Sequence, residues 1–261
     1  MLNRIFLSAV LLSSAVVLAQ NGPPSTGASS LLQAPDTLPI VFTNTVSADH
    51  SRVGDKLFAR TEQVVRLANG SDIPSGTPIV GHVVAANPFV YDKTPYARQI
   101  QSTLSIRFDS LQLAGTTVPL DITVRAMAGP IASWDARMPN VNDDRSSPSR
   151  TQIGGDQLNP SEAEVISLDG DLTAYNKRGG VYAHLIAHHG CDAGSVEVSL
   201  GIYSASACGL YGFADVSAPE VGSPAEPSTL TLVSSRMSPK IWKHSTALLE
   251  VLPHQPIVAA R

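Results

Sequence analysis

Between Leu38 and Val124 the chain repeats one pattern, short runs of alternating apolar and polar residues separated by Gly, Pro, Asn and Asp. Alternation with period two is the mark of strands with one face in a core and one in water. The runs are Ile40–Val46, Lys56–Leu67, Val80–Ala85, Thr103–Leu111 and Thr117–Val124. Between the second and third stands Ile73-Pro74-Ser75-Gly76-Thr77-Pro78-Ile79-Val80-Gly81. Pro74 and Gly76 predict a tight reversal there, and Gly81 a bend or close backbone approach in the next strand. Ile73 and Ile79 are expected to face the core. Many short strands leading into one another predict a mainly β fold, a small β-barrel or barrel-like sandwich.

Further strand signals come at Val196–Leu200, Leu230–Val233 and Thr246–Val251. From Gly129 to Pro160 the chain is rich in Pro, Asn, Asp, Ser and Arg with little periodicity, which predicts a long exposed loop. The barrel-like domain is therefore assigned to 38–252, with a long irregular insertion at 130–227 and a tail at 253–261. Residues 1–19 combine Arg4, an apolar run from Ile5 to Leu18 and small residues ending at Ala19, the layout of a signal peptide cleaved after Ala19. Residues 20–37 read as a flexible tether. No later apolar run reaches the ~20 residues of a membrane-spanning helix. The mature chain is expected to be secreted or periplasmic.

Cys191 and Cys208 are the two cysteines of the chain. In an exported protein they are expected to form one disulfide, worth about 3 kcal/mol for a loop of this size. The formal charge of −4, with Lys and Arg scattered in sequence, argues against a nucleic-acid partner.

The opening strand, Gly54-Asp55 before the second strand, the Ile73-Pro74-Ser75-Gly76-Thr77 turn followed by Gly81, the strand before Gly115 and the closing His244–Val251 segment resemble the C-terminal β-barrel domain of the TrbI-like conjugal-transfer family, found in type IV secretion core complexes. The resemblance covers a third to a half of the mature chain and implies a barrel-like fold in the cell envelope. That family carries an inner-membrane helix and a long Pro-rich arm, where this chain has a signal and a short tether. The segment from Gly129 to Pro227 has no counterpart in the family pattern.

Candidate chemistry is sparse. His184-Leu185-Ile186-Ala187-His188-His189-Gly190-Cys191 is the densest cluster, and His184, His188 and His189 are weak metal candidates. Leu185 stands where a zinc protease helix carries its general base, so polar residues beside a disulfide are the plainer reading. Glu162 with Glu164 and Asp169 with Asp171 are carboxylate pairs more suited to turns and solvated strands than to catalysis. Tyr91, Tyr96, Trp134, Tyr175 and Trp242 lie in or near loop-like segments and offer a carbohydrate platform or satellite core residues. Nucleophile-elbow, P-loop and dinucleotide patterns are missing from the sequence. The expectation is a cell-envelope structural or interaction protein without catalytic activity or cofactor, whose partner is an envelope protein or polysaccharide. The alternatives are a secreted hydrolase or metal-dependent enzyme with a site near His184–Cys191, and a carbohydrate-binding module.

Overall fold

The structure is a computed structural model. It describes residues 31–34, 36–67, 69–95, 98–137, 150–155, 157–158, 163–166, 172–177, 180–184, 197–199, 201–204 and 207–253. In chain order the strands are β1 (Thr37–Phe42), β2 (Val46–Ser47), β3 (Lys56–Thr61), β4 (Val65–Arg66), β5 (Asp72–Ile73), β6 (Pro78–Asn87), β7 (Ser102–Leu113), β8 (Thr116–Pro119) and β9 (Ile122–Ala128). Helix α1 (Pro130–Arg137) follows, then β10 (Arg150–Thr151), β11 (Gln157–Leu158), β12 (Glu164–Ile166), β13 (Leu172–Lys177), β14 (Gly180–His184) and β15 (Glu197–Ser199). The chain ends with β16 (Gly209–Tyr211), β17 (Ser217–Glu220), β18 (Thr229–Ser234), β19 (Lys240–Ile241) and β20 (Thr246–Val251).

The mainly β, barrel-like fold class is what the structure shows. One ten-stranded sheet runs β16-β9-β20-β1-β3-β6-β7-β18-β17, with β8 added on β7. Every pairing along it is antiparallel except β16 on β9. The sheet curls until its two ends meet. Val124 N–H donates to Val221 O at 2.6 Å, Ser228 N–H to Ile122 O at 2.8 Å, and Ile122 N–H to Ser228 Oγ at 3.1 Å. These bonds join β9 to the segment between β17 and β18 and make the barrel nearly closed.

Alternation is cleanest on β3, where Leu57, Ala59 and Thr61 are buried and Lys56, Phe58 and Arg60 exposed. The inward residues of the other strands complete the core, including Leu38, Ile40, Phe42, Ile79, Val83, Leu104, Ile106 and Phe108. Phe42 and Phe108 meet with ring centroids 6.2 Å apart. On β1 and β20 alternation fails because both faces are covered. All six residues of β1 are buried, and Leu248 of β20 belongs to a second apolar cluster with Ala126, Ala128, Ile153, Val165, Tyr203 and Ala207 outside the barrel.

That outer cluster corrects the reading of an exposed loop from Gly129 to Pro160 where the residues are described, at 129–137 and 152–153. Pro130 opens α1 in the first turn, where its missing N–H costs nothing, and Arg137 sits in the last turn, favourable to the helix dipole. Ala132 and Ala136 turn onto the outer cluster. The insertion is also narrower than 130–227, since β16 and β17 belong to the main sheet. Part of it is regular, because β12, β13, β14 and β15 form a four-stranded antiparallel sheet. The tether, too, is ordered at its end: Leu31 and Leu32 pack against the core, Asn69 Nδ2 donates to Leu31 O at 3.2 Å, and Asp36 is fully buried. Residues 1–30, and with them the expected signal, lie outside the described residues. So does Cys191, so the expected Cys191–Cys208 bond is not a finding of the structure; Cys208 is exposed, its N–H 3.1 Å from Tyr211 Oη.

The turn after β5 is stitched to the end of β3. Gly76 N–H donates to Thr61 O, Thr77 N–H to Thr61 Oγ1, and Thr61 Oγ1 and Thr77 Oγ1 each donate to Pro74 O at 2.7 Å. Gly76 has φ +82°, a conformation that costs a residue with a side chain about 1 kcal/mol or more. Ile73 and Ile79 are both buried. Gly81 answers to a different constraint. It sits at a bulge in β6, and a Cβ there would lie 2.3 Å from Arg107 O and 3.3 Å from Phe108 Cα. Those are backbone atoms, so β6 and β7 would have to separate.

Two predictions follow from this frame. Gly81→Ala is expected to lower unfolding free energy by about 2–3 kcal/mol and Gly76→Ala by about 1 kcal/mol, since the first strains the sheet and the second one residue; urea titration with equal or reversed losses would contradict the assignment. Ser228 is buried at φ +66° and serves Ile122 N–H and Leu120 O through its hydroxyl. Ser228→Ala leaves both groups unserved and is expected to cost about 1–3 kcal/mol, and a loss below about 0.5 kcal/mol would show that the closure does not depend on it.

Candidate functional site

Strand direction gathers distant segments at one end of the barrel. The loop after β6 leaves from Asn87 and returns at Ser102, and Ser102 pairs with Ser234 at the end of β18. The segment leaving β18 reaches β19, which pairs with β2. Residues 88–95, 98–101, 235–243 and 43–55 thus form one surface.

Hydrogen bonds hold the main loop in place. Phe89 N–H donates to Ser238 Oγ at 2.9 Å, tying it to the neighbouring segment. Thr94 N–H donates to Asp92 Oδ1 at 2.7 Å, an Asx turn, and Arg98 N–H to Pro95 O at 2.8 Å. Gln99 is buried and its Nε2 donates to Thr94 O at 3.0 Å. Across the gap, Ser234 Oγ accepts from Arg236 N–H and Met237 N–H at 3.1 and 3.2 Å.

With the backbone tied inward, large apolar side chains point out. Val90 is 74% exposed, Tyr91 72% and Ile100 87%. Met237 and Trp242 are exposed beside them on the neighbouring segment, and Lys240 Nζ lies 3.7 Å from the Trp242 ring centroid. Lys93, Arg98 and Lys243 are exposed on the same end. Arg236 pairs with Asp215 at 3.0 Å, and the Asp49 carboxyl is held below its ordinary value, first by the Ser47 side chain and in smaller part by His50 and Lys240. A surface of exposed apolar tips among cations can dock.

Other polar groups in the described residues serve the frame. Beneath α1, Glu62 takes hydrogen bonds from Arg137 Nε at 2.9 Å and from Nη2, while its Oε2 is buried without a hydrogen-bond partner among the described residues. Burial pushes the Glu62 carboxyl above its ordinary value, with Arg137 opposing. Thr246 Oγ1 lies 2.8 Å from Ser133 Oγ and 2.7 Å from Tyr203 Oη, linking β20, α1 and the 201–204 segment. Burial raises the fully enclosed Tyr203 phenol, so it stays neutral. On the outer barrel face His82 Nδ1 meets Asp109 at 2.9 Å. Where the sheet ends meet, a cavity of about 360 Å³ is lined by Val124, Met127, Leu210, Val216 and Leu230, with Arg125 and Cys208 at its wall. Arg125 stands at a bulge opposite the Leu248–Leu249 step, is buried, and lies 3.8 Å from Glu250.

The residues singled out from sequence do not converge. Of the histidine cluster, the structure gives the backbone of His184 alone, opposite Glu197 in the β14–β15 register; His188, His189 and Cys191 lie outside the described residues. Glu164 pairs across from Tyr175 on β12–β13, whereas Glu162, Asp169 and Asp171 lie outside. Among the described residues no group of three metal-ligating side chains comes together. Tyr91 and Trp242 share the barrel end, Trp134 is exposed on α1 far along the chain from both, Tyr175 is half-buried, and Tyr96 lies outside. Sequence reasoning missed the convergence of Val90, Ile100 and Met237. For Val90 and Ile100 the available signal was apolar residues without periodicity between the two strand runs, in a stretch containing Pro88 and Pro95.

The Glu62 environment gives a pH prediction. A carboxyl whose folded value is raised contributes most below its unfolded value and loses that contribution as pH climbs through the folded one. The Tm of the wild type minus that of Glu62→Gln is therefore expected to fall as pH rises above the ordinary carboxylate range of about 4; a difference that is flat or rises with pH would contradict it.

Comparison with known protein families, with characterised proteins and with solved structures finds no match for this chain.

Proposed function

We propose that this chain is an exported, non-catalytic interaction module of the cell envelope that docks through the apolar and cationic end of its barrel. The observation that carries the reading is the exposure of Val90, Tyr91, Ile100 and Met237 on backbone fixed by hydrogen bonds to its own residues and to a neighbouring segment. Single exposed apolar residues are ordinary, but several on one surface mark contact with something else. A pinned backbone supports docking, because little ordering is then left for the moment of binding. The barrel serves as the rigid mount.

The signal-like residues 1–19 and the resemblance to the TrbI-like envelope barrel support an envelope location. The same reading requires an oxidising compartment, in which Cys191 and Cys208 would be joined. The exported protein, denatured without reductant, is then expected to show no titratable thiol. The functional test is complementation: Val90→Asp with Ile100→Asp, both exposed, is expected to keep the wild-type Tm and yet fail to restore whatever phenotype loss of the gene produces. Full complementation by this folded variant, or recovery of the wild-type protein in the cytoplasm with its first 19 residues still attached, would overturn the proposal.

A further inference from the structure

We infer that the surface engaged by this barrel end is an anionic lipid bilayer face, which the 88–101 loop enters with Val90, Tyr91 and Ile100. The inference rests on the docking role proposed for this end and names what it docks to. Three features of the end point to lipid.

The first is shape. Val90 and Ile100 project singly from a loop, 74% and 87% exposed, rather than lining a groove that would receive a peptide side chain. Protruding apolar tips match the acyl boundary of a bilayer, which offers no fixed knobs to fit a pocket.

The second is side-chain chemistry. Tyr91 and Trp242 are amphipathic rings of the kind that sit at the headgroup level, with an apolar body and a polar tip. Lys240, 3.7 Å from the Trp242 ring centroid, adds a cation at the same level.

The third is charge complementarity. Lys93 and Arg98 belong to the same loop as the apolar tips, and Lys243 adjoins through the Thr45 Oγ1 contact of its N–H at 2.9 Å. Of the acids at this end, Asp215 is engaged by Arg236, Asp49 lies 3.1 Å from His50 Nδ1, and the Asp55 and Asp92 carboxylates accept from the Arg52 and Thr94 N–H groups, against the cations Arg52, Lys93, Arg98, Arg236, Lys240 and Lys243. A net negative chain that places its cations around its apolar tips is arranged to approach an anionic surface with that end leading.

The experiment is flotation of the full mature chain with vesicles of phosphatidylcholine alone and of phosphatidylcholine with phosphatidylglycerol. The wild type is expected to float with the anionic vesicles, about tenfold more tightly than with the neutral ones, and to lose that advantage at high salt. Val90→Asp with Ile100→Asp, and separately Lys93→Glu with Arg98→Glu, are each expected to weaken flotation about tenfold or more. Ile131→Asp, an exposed change on α1, is expected to leave it intact and shows that the loss is local. Tyr91→Trp supplies a direct readout, a blue shift of its emission on anionic vesicles. No flotation of the wild type, or flotation that ignores both loop variants, overturns the lipid assignment. Loss of complementation by the Val90/Ile100 variant without any vesicle binding would also overturn it while leaving the docking role in place, with an envelope protein or polysaccharide as the occupant.

Discussion

Closure of the sheet at Ser228 is the interaction on which the rest of this fold depends. A ten-stranded sheet with two open ends would expose two rows of backbone donors and acceptors and could not enclose a core. Here the β9 backbone at Ile122 exchanges bonds with Ser228, while Phe108 N–H on β7 donates to Ser228 O at 2.9 Å. One residue thereby joins three strands. It must adopt φ +66° to do so, which is why a small residue with a hydroxyl stands there. Gly222 permits the approach: a Cβ at that position would lie 2.4 Å from Ile122 O.

The second constraint is that β1, β20 and β9 have two buried faces, so α1 and the residues Ile153, Tyr203 and Ala207 are a cover the barrel needs. Leu248, Ala126 and Ala128 would meet water without Tyr203, Ile153 and Ala207 above them. Their small size on β9 lets α1 lie close. Burying a phenol and two aliphatic hydroxyls in this layer is costly unless each finds a partner. Ser133, Thr246 and Tyr203 serve one another, and Arg137 Nη1 donates to Ser133 O at 3.3 Å. The charged pair Glu62–Arg137 at the rim of this layer ties the end of β3 to the end of α1, and its carboxyl is raised because desolvation outweighs the neighbouring guanidinium.

How much of this was legible in the sequence follows from how local each signal is. The turn at Ile73–Gly81 was readable because Pro74, Gly76 and Gly81 state backbone requirements at their own positions. The inward sets of β3 and β6 were readable because water on one face preserves alternation. Alternation vanished on β20, where Thr246–Val251 is covered on both sides, and its place at the centre of the sheet could not be inferred from it. Helix α1 was read as loop because eight residues hold too few periodic positions, and its Pro130 is a first-turn residue. The candidate surface was least legible of all. Its parts, 88–101 and 235–243, meet only because β6, β7 and β18 are neighbours, an arrangement set by the whole sheet.

The two ends of the barrel have been solved differently. At the end carrying the Pro74–Thr77 turn, polar atoms consume one another: Thr61, Thr77 and Pro74 close their bonds within the turn, and Ser75 Oγ reaches Glu62 O at 3.1 Å. Its apolar residues Val65, Leu67 and Ile73 are buried. At the opposite end the backbone is equally well bonded, yet Val90, Tyr91 and Ile100 are turned outward. The same chain chemistry could have folded them in, as it did Ile73. Leaving them in water costs the hydrophobic gain of burial, roughly 1.5–3 kcal/mol for a fully buried large apolar side chain. Among the described residues one end buries Val65, Leu67 and Ile73 while the other leaves Val90, Tyr91 and Ile100 in water, a cost that the proposed docking contact would recover after folding.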